Sequence, residues 1–315
     1  MRIFIEVPTW LGDCVMATPA IENIIKLYPD INITLFGTHL SLAIFENHPN
    51  IENIIVDKSR TSKFRWLWFF STSKNLQTFD KAISLRSSFS SKVFLFFIKA
   101  KSKSLYKKNA NIERHQVLRY NDFINKTFNA NTNAEDLKIF FESNTYTKPT
   151  LGINPGASYG SAKRWYPEKF AEVAIALSGK FDILIFGSSS ELDIAKDIEQ
   201  ELQKNNINNY TNLAGKTDIK TLCQNIAGLE LFITGDSGPM HISTAFKVPT
   251  VALFGPTKDN ETSPWHNPKS IIVKHVIKCA PCMKRVCPLK HHECMKLITP
   301  TDVLNAVDNI INLKA

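Results

Sequence analysis

One carboxylate stands where an enzyme built on a β-sheet often places a catalytic group. Asp13 follows the apolar run Ile3–Val7 and a short loop, at the start of a predicted helix. The helix N-terminus favours an ionised carboxylate, which could accept a proton from an attacking hydroxyl. The alternative is an N-capping aspartate without a chemical role. The loop contains only Gly12, so the Gly-x-Gly-x-x-Gly fingerprint of a dinucleotide enzyme is absent.

A loop rich in small residues between Asn154 and Pro167 is a second candidate site. Its Gly, Ala and Ser residues leave room for a diphosphate, and Lys163 and Arg164 supply positive charge. The P-loop pattern Gly-x-x-x-x-Gly-Lys-Ser/Thr is absent. The sequence alone also allows a flexible surface loop with ordinary lysines.

The segment Gly235–His241 lies between two apolar runs, Leu229–Ile233 and Val248–Phe254, which we predict to be strands. Small residues at such a turn let an anionic ligand approach backbone N–H groups at the start of the next helix. In open α/β sheets, ligands bind at the carboxyl ends of the strands. The pattern therefore indicates a nucleotide or phosphosugar site, with a capped tight turn as the alternative.

Glu191 follows another predicted strand, Asp182–Phe186. Its carboxylate could accept hydrogen bonds from a ribose, or it could complement the dipole of the helix that begins beside it.

Six cysteines fall into two groups. Four lie near the C-terminus in the spacing Cys-x2-Cys-x4-Cys-x6-Cys: Cys279, Cys282, Cys287 and Cys294. A structural zinc site is one interpretation, but the second pair lacks a close Cys-x2-Cys, which favours reduced thiols, so we predict no metal. Cys14 and Cys223 have apolar helical contexts and are predicted to lie in the core.

Strands and helices alternate in both halves of the chain, which predicts parallel sheets covered by helices. The strands predicted besides those already named are Ile31–Phe36, Ile51–Val56, Lys81–Leu85, Leu151–Asn154 and Thr211–Leu213. The predicted helices are Asp13–Tyr28, Leu40–Phe45, Pro167–Ser178, Ser190–Leu202, Ile242–Lys247 and Thr301–Leu313. A polar stretch, Ser143–Thr150, is predicted to link two α/β halves, which implies a ligand-binding cleft between them.

Composition fits a globular protein of 315 residues with about two domains, since hydrophobic residues make up 43% and charged residues 21%. No run of about 18 or more uncharged apolar residues occurs, so we predict no transmembrane helix. The N-terminal strand carries charge and lacks a cleavage site, which predicts a cytoplasmic protein with reduced thiols.

The net charge of +9 is concentrated in the first half. Lys58–Lys108 contains 13 basic residues and a single acid, Asp80, together with the aromatic clusters Trp66–Phe70 and Val93–Ile98. This combination suits an anionic membrane surface or a phosphorylated lipid. Charge alone would also allow binding to nucleic acid. The structural alternative is that the aromatic residues are packed in the core and the lysines are solvated on the surface.

In this order and spacing, the motifs resemble those of the bacterial lipopolysaccharide heptosyltransferases, family 9 of the glycosyltransferases. The resemblance rests on Gly12-Asp13, Pro155–Ala157, Ala162–Trp165, Asp236–His241 and the terminal cysteines, and it covers nearly the whole chain. The loop ending at Trp165 favours the heptosyltransferase II branch. Tyr166 is one residue more than the pattern we expect.

The resemblance implies an α/β GT-B fold, with two Rossmann-like domains whose parallel sheets face a central cleft. Residues 1–148 would bind the acceptor and residues 149–300 the nucleotide sugar. A C-terminal helix in residues 301–315 would pack back on the first domain.

The resemblance also implies an activity, namely inverting transfer of heptose from ADP-L-glycero-D-manno-heptose to a heptosyl-Kdo-lipid A inner core in lipopolysaccharide or lipooligosaccharide biosynthesis. By position, Asp13 would be the catalytic base and Lys163 the contact to the donor phosphates. The other implied donor-site residues are Ser158 in the phosphate loop, Glu191 at the ribose, Thr217 near the adenine, and Asp236, Ser237, Gly238 and His241.

Neither loop offers an Asp-x-Asp pair for Mg²⁺, so we expect metal-independent chemistry with no cofactor besides the donor substrate, ADP-heptose. The lipid-linked acceptor implies a peripheral protein on the cytoplasmic face of the inner membrane, without a nucleic-acid partner. The alternatives are a GT-B transferase that uses another nucleotide sugar, and a non-catalytic, zinc-containing anion-binding module, which would leave both loops and Asp13 unexplained.

Overall fold

The computed structural model describes residues 1–109 and 113–312. The chain divides into two compact units, Met1–Phe140 and Phe141–Ala315. The division falls before the predicted boundary at residue 148. The reason is that the predicted linker is hydrogen-bonded to the second unit: Asn144 N donates to Gln224 O over 3.0 Å, and the Tyr146 hydroxyl donates to Asn225 O over 3.1 Å.

The first unit is built on a parallel sheet whose described strands are β1 (Arg2–Glu6), β2 (Asn32–Gly37), β3 (Ile51–Val56), β4 (Phe79–Ser84) and β5 (Ala100–Leu105). Their order is β3-β2-β1-β4-β5. The helices are α1 (Leu11–Met16), α2 (Thr18–Leu27), α3 (His39–Leu42), α4 (Arg65–Lys74), α5 (Phe89–Phe97) and α6 (Gln116–Phe128). The sequence pattern had indicated β1 to β4, but it had not indicated α4, α5, β5 or α6.

Aromatic packing holds α4 and α5 on one face of this sheet. Phe69 of α4 and Phe94 of α5 pack on Phe4 and Phe36, with 4.3 Å between the ring centroids of Phe36 and Phe94. All four side chains are buried, so a large apolar area leaves water at this layer.

The second unit contains the described parallel strands β6 (Thr150–Asn154), β7 (Asp182–Ile185), β8 (Tyr210–Asn212), β9 (Leu231–Gly235), β10 (Thr250–Leu253) and β11 (Ser270–Val273). Their order is β11-β10-β9-β6-β7-β8. The helices are α7 (Pro167–Leu177), α8 (Leu192–Lys204), α9 (Ile219–Ala227), α10 (Gly238–Ala245), α11 (Asp259–Thr262), α12 (Glu293–Lys296) and α13 (Pro300–Asn312). This is the strand order of a Rossmann fold, with β6 and β9 at its centre.

Two predicted helices have different limits in the structure. The helix predicted over residues 13–28 is two helices, α1 and α2, because Pro19 lacks an N–H and occupies the first turn of a new helix. The helix predicted from Ile242 begins at Gly238, because a glycine and a proline are both acceptable in a first turn.

The final helix contributes to the core of the second unit. α13 buries Val303, Ala306, Val307 and Ile310 in the core of the second unit, where it packs on α7, β10 and β11. Its buried face therefore packs in the second unit, and the packing of residues 301–315 on the first domain, which the family resemblance implies, stays a prediction. The predicted last residue of this helix, Leu313, lies outside the described residues.

Across residues 1–109 and 113–312, no helix combines the length and the apolar character needed to span a bilayer.

Candidate functional site

Four loops meet in pairs at the carboxyl ends of β8, β7, β6 and β9. Gly215 N, after β8, donates to Gly187 O, after β7, over 2.9 Å. Gly156, after β6, lies against the carboxylate of Glu191, after β7. Lys163, after β6, reaches Asp236, after β9. In an open α/β sheet this edge is the ligand-binding edge, and β6 and β9 flank the point where the strand order reverses.

A buried ion pair joins the two loops at that point. Lys163 Nζ lies 2.6 Å from Asp236 Oδ2 and 3.1 Å from Asp236 O. Both side chains are largely buried, so each charge depends on the other for compensation. An ammonium group has three donors, and these two bonds leave the third for a ligand. The ammonium also lies 4.7 Å from the ring centroid of Tyr159.

The segment Gly235–His241 forms the start of α10 directly after β9. Ser237 has the N-cap position, but its side chain makes no capping bond, and its hydroxyl instead lies 3.1 Å from the Thr234 hydroxyl. The capped-turn alternative is therefore not what forms here. The first-turn N–H groups of Gly238 and Met240 have no intrahelical partner by geometry, so they can bind an anion. His241 lies buried in the same helix.

Glu191 has the structural role that the sequence left open. Its Oε2 accepts hydrogen bonds from Ser188 N and Ser188 Oγ, both over 2.8 Å, which completes a capping box. Within the described residues, its buried Oε1 has no hydrogen-bond partner. A Cβ at Gly156 would overlap this carboxylate, so only glycine fits there.

Two predicted donor residues lie farther from the ion pair along the chain. Ser158 is exposed on the loop after β6. Thr217 is half-buried in the loop between β8 and α9, next to Asp218, the N-cap of α9. Among the residues that the structure describes, no hydrogen bond or ion pair joins Ser158 or Thr217 to Lys163 or Asp236, so their assignment to phosphate and adenine stays a prediction.

The loop after β6 is held from outside by the segment 283–292, which sequence reasoning missed. Ala162 N donates to Arg285 O over 3.0 Å, and the Tyr159 hydroxyl donates to Met283 O over 2.9 Å. Gly160 lies so close to Arg285 O that any side chain would overlap it. These contacts remove the alternative of a flexible surface loop.

A histidine completes this support and explains the additional tyrosine. His292 Nε2 lies 2.9 Å from Ala162 O, and His292 Nδ1 lies 3.2 Å from the Tyr166 hydroxyl. With Nε2 protonated, the imidazole donates to the carbonyl and accepts from the tyrosine. Tyr166, the one residue beyond the family pattern, was the sequence signal for this contact. Nothing in the sequence identified His292 as the partner of Tyr166.

The four C-terminal cysteines line one small cavity with His291, His292 and Ala162. Burial and the three neighbouring thiols raise the pKa of Cys294 to about 11, so this thiol is protonated at neutral pH. In the part of the chain that the structure describes, no three His, Cys, Asp or Glu side chains are placed to hold a metal ion. Cys14 and Cys223 are buried, as predicted.

In the first unit, Asp13 lies in the first turn of α1, but it is not the N-cap. The N-cap position belongs to Trp10, so the capping alternative for Asp13 is wrong. Burial is the main reason that the pKa of the Tyr120 hydroxyl lies well above its usual value, and the negative charge of Asp13 adds to the rise. Asp13 is itself half-exposed, which leaves it accessible to a substrate.

A buried polar cluster supports the loop before α1, and sequence reasoning missed it. Arg86 Nε donates to Val7 O over 2.6 Å, and Arg86 Nη1 lies 3.2 Å from Glu6 Oε1 and 3.8 Å from Asp57 Oδ2. Burial raises the pKa of Glu6, and the charge of Arg86 opposes that rise. A glutamate at the end of an apolar strand was the available signal.

Residues 125–293 match the model of glycosyltransferase family 9 (heptosyltransferase), more than half of the chain. The chain belongs to this family. A lipooligosaccharide heptosyltransferase 2 from Campylobacter jejuni serotype O:2 is 44% identical over 99% of this chain and 98% of its own length. The corresponding Haemophilus influenzae protein is 28% identical over 86% of this chain and 88% of its own length. The chain is therefore a glycosyltransferase, and these relatives support heptosyl transfer as its activity.

Solved structures show the same fold. Escherichia coli ADP-heptose LPS heptosyltransferase II matches with a TM-score of 0.81 and 20% identity over 100% of both chains. E. coli heptosyltransferase WaaC with ADP matches with a TM-score of 0.80 and 15% identity over 98% of this chain and 100% of its own. The family 9 chain therefore has the predicted GT-B fold of two parallel α/β sheets.

Replacing Lys163 with alanine tests the ion pair in this transferase. We expect turnover to fall at least about tenfold, or about 1.4 kcal/mol, because the only cation bonded to Asp236 in the described structure is lost. The exposed Lys180→Ala is the matched control. Steady-state kinetics measure turnover, and thermal denaturation measures the stability of each variant.

A double variant separates chemistry from folding at this pair. Lys163→Met with Asp236→Asn removes both buried charges, so we expect thermal stability to recover toward the wild type while turnover stays low. Recovery of turnover in the double variant would contradict a role for the ammonium beyond pairing with Asp236.

Gly160→Ala tests the support of the loop by the segment 283–292. Its Cβ would overlap Arg285 O, so the loop must move and we expect turnover to fall at least about fivefold. Gly179→Ala is the control, since a Cβ there meets nothing within 4 Å. Equal turnover of the two variants would show that the loop tolerates displacement.

Proposed function

We propose that this transferase moves a heptose from ADP-L-glycero-D-manno-heptose to the heptosyl-Kdo-lipid A inner core, in lipooligosaccharide or lipopolysaccharide biosynthesis. The observation that carries the proposal is the buried pair of Lys163 and Asp236, beside the N-terminus of α10 in a family 9 chain. The names of the Campylobacter and Haemophilus relatives support the acceptor class.

The donor site has the chemistry that a nucleoside diphosphate requires. Lys163 supplies a fixed positive charge, and the first turn of α10 supplies backbone N–H groups at the positive end of a helix. The small residues of the loop after β6, Ala157, Ser158 and Ser161, leave room for phosphate oxygens near the backbone. Glu191 Oε1, a buried acceptor, suits the hydroxyl donors of a ribose.

The proposed reaction inverts the anomeric centre in a single displacement. Asp13 takes the proton of the acceptor hydroxyl as that oxygen forms a bond to the anomeric carbon. The bond from this carbon to the phosphate oxygen breaks, and its electron pair leaves with ADP. Lys163 and the N–H groups of Gly238 and Met240 stabilise the charge that grows on the leaving diphosphate.

We expect no divalent metal to be required, because Lys163 supplies the charge that Mg²⁺ supplies in other transferases. The loops that carry Lys163 and Asp236 contain no Asp-x-Asp pair. In this proposal ADP-heptose is the donor substrate and no further cofactor takes part. Addition of EDTA should leave the initial rate unchanged.

The proposal also gives the protein a place in the cell. Its lipid-linked acceptor would lie in the inner leaflet of the inner membrane, so the protein would be cytoplasmic and peripheral on that surface. Nucleic acid has no part in this function.

Asp13→Ala tests the assignment of the base. We expect turnover to fall by at least about a hundredfold, because no group then accepts the proton, while ADP binding is unchanged. Asp30→Ala, an exposed aspartate of the same unit, is the control. Turnover with a defined acceptor is read by mass spectrometry, and ADP binding by calorimetry. Wild-type turnover of the Asp13 variant would remove this residue from the mechanism.

The nucleotide tests the donor class. A ligand that binds only the folded state raises the melting temperature, and we expect ADP to raise it more than UDP or GDP at equal concentration. Preferential stabilisation by UDP or GDP would instead favour a GT-B transferase with another nucleotide sugar. Incubation with ADP-heptose and a defined core acceptor then identifies the product directly by its mass.

A further inference from the structure

The first unit exposes an aromatic face on α4, α5 and the residue before α4. The face consists of Phe64, Trp66, Leu67, Phe70, Phe89 and Phe96. Phe89 and Phe96 are 73% and 74% exposed, so most of each side chain is in contact with water. Large apolar side chains gathered in one place on a surface mark an interaction site.

Ring contacts make this face continuous across the two helices. The ring centroids of Trp66 in α4 and Phe89 in α5 are 6.3 Å apart. Farther along, Phe70 lies 5.8 Å from Phe97, which lies 5.7 Å from Phe96. The exposed rings therefore form one surface that both helices share.

Burial distinguishes this face from the core. Trp66 and Phe70 are four residues apart on α4, and Phe89 and Phe96 are seven apart on α5, so each pair lies on one side of its helix. Phe94, on the other side of α5, is buried against the sheet, and so is Phe69, which lies three residues after Trp66 at the edge of the exposed side of α4. The exposed rings are thus additional to those that fold the unit.

Cations surround the rings. Lys74 Nζ lies 4.6 Å from the centroid of Phe70, and Lys103 Nζ lies 5.8 Å from that of Phe96. The Arg65 guanidinium carbon lies 5.9 Å from the centroid of Trp66. The one acid in residues 58–108, Asp80, pairs with Lys101 at 2.7 Å. The face and its border therefore combine apolar rings with an excess of positive charge.

We propose that the aromatic face docks on an anionic phospholipid bilayer. Aromatic side chains enter the interface between headgroups and acyl chains, while the lysines and arginines remain at the level of the phosphates. This proposal rests on the proposed function in one respect, which is that a lipid-linked acceptor brings the enzyme to a membrane. Binding to the bilayer itself requires neither donor nor acceptor.

Charge favours a bilayer over a second copy of the chain. Two such faces packed on each other would bring the rows of Arg65, Lys74 and Lys103 together without acids to compensate them. Like charges opposed across an interface disfavour it. An anionic bilayer supplies the missing negative charge over the whole surface at once.

The test measures binding to extruded vesicles of phosphatidylcholine with about 30 mol% phosphatidylglycerol. The variant Phe70→Ser, Phe89→Ser, Phe96→Ser should bind at least about tenfold more weakly than the wild type. The control Leu40→Ser, Val276→Ser, Leu297→Ser removes three equally exposed apolar side chains elsewhere and should bind normally. Lys74→Glu with Lys103→Glu, which reverses the charge of the two lysines beside Phe70 and Phe96, should abolish the preference for phosphatidylglycerol over pure phosphatidylcholine.

Four readouts decide the result. Normal transfer by the serine variant on a deacylated, water-soluble acceptor, together with weaker vesicle binding, supports the proposal and separates it from failure of the proposed function. Vesicle binding that is unchanged in the serine variant, or reduced equally in the control, overturns it. A wild-type dimer that the serine variant converts to monomers overturns it in favour of self-association. Tight binding of single-stranded DNA that the serine variant loses overturns it in favour of nucleic acid.

Discussion

The second unit depends on one buried ion pair, Lys163 with Asp236, at the centre of its sheet. A charge that leaves water needs a close counter-charge, so neither side chain could be buried alone at this position. The pair joins the loop after β6 to the turn after β9, and 73 residues of chain separate its members. The donor-binding chemistry proposed for this transferase requires both loops at once, and this contact is what brings them together.

Contacts from later parts of the chain hold the loop that carries Lys163. Backbone and side-chain bonds from the segment 283–292 hold Ala162 and Tyr159, and the indole of Trp165 donates to Ile298 O over 3.0 Å. This segment also contributes Cys287, His291 and His292 to the lining of the cysteine-lined cavity. The four C-terminal cysteines, conspicuous in the sequence, therefore share this cavity with Ala162 of the loop after β6 and with His292, which contacts that loop.

The two units share a parallel α/β architecture but use it differently. In both, a loop after the first strand leads toward a helix at the carboxyl edge of the sheet, which is where open α/β sheets bind their ligands. The second unit fills this edge with small residues and a lysine, which suits a diphosphate. The first unit places Asp13 there, after a loop that the buried cluster of Glu6 and Arg86 supports. In the proposed mechanism, the carboxylate of the first unit acts as the base and the cation of the second unit stabilises the leaving group.

The sequence by itself determined the α/β class, most strand positions and the motifs of family 9, because these depend on local periodicity and on residue types at fixed spacing. It did not determine where α10 begins or that Pro19 divides a helix, since glycine and proline are compatible with a turn and with a first helical turn alike. Only the tertiary structure decided the partners: Asp236 for Lys163, Ser188 for Glu191, Ala162 for His292 and the second unit for α13. It also decided which aromatic residues of α4 and α5 are buried and which are exposed. These outcomes depend on contacts between residues far apart in the chain, which no local pattern specifies.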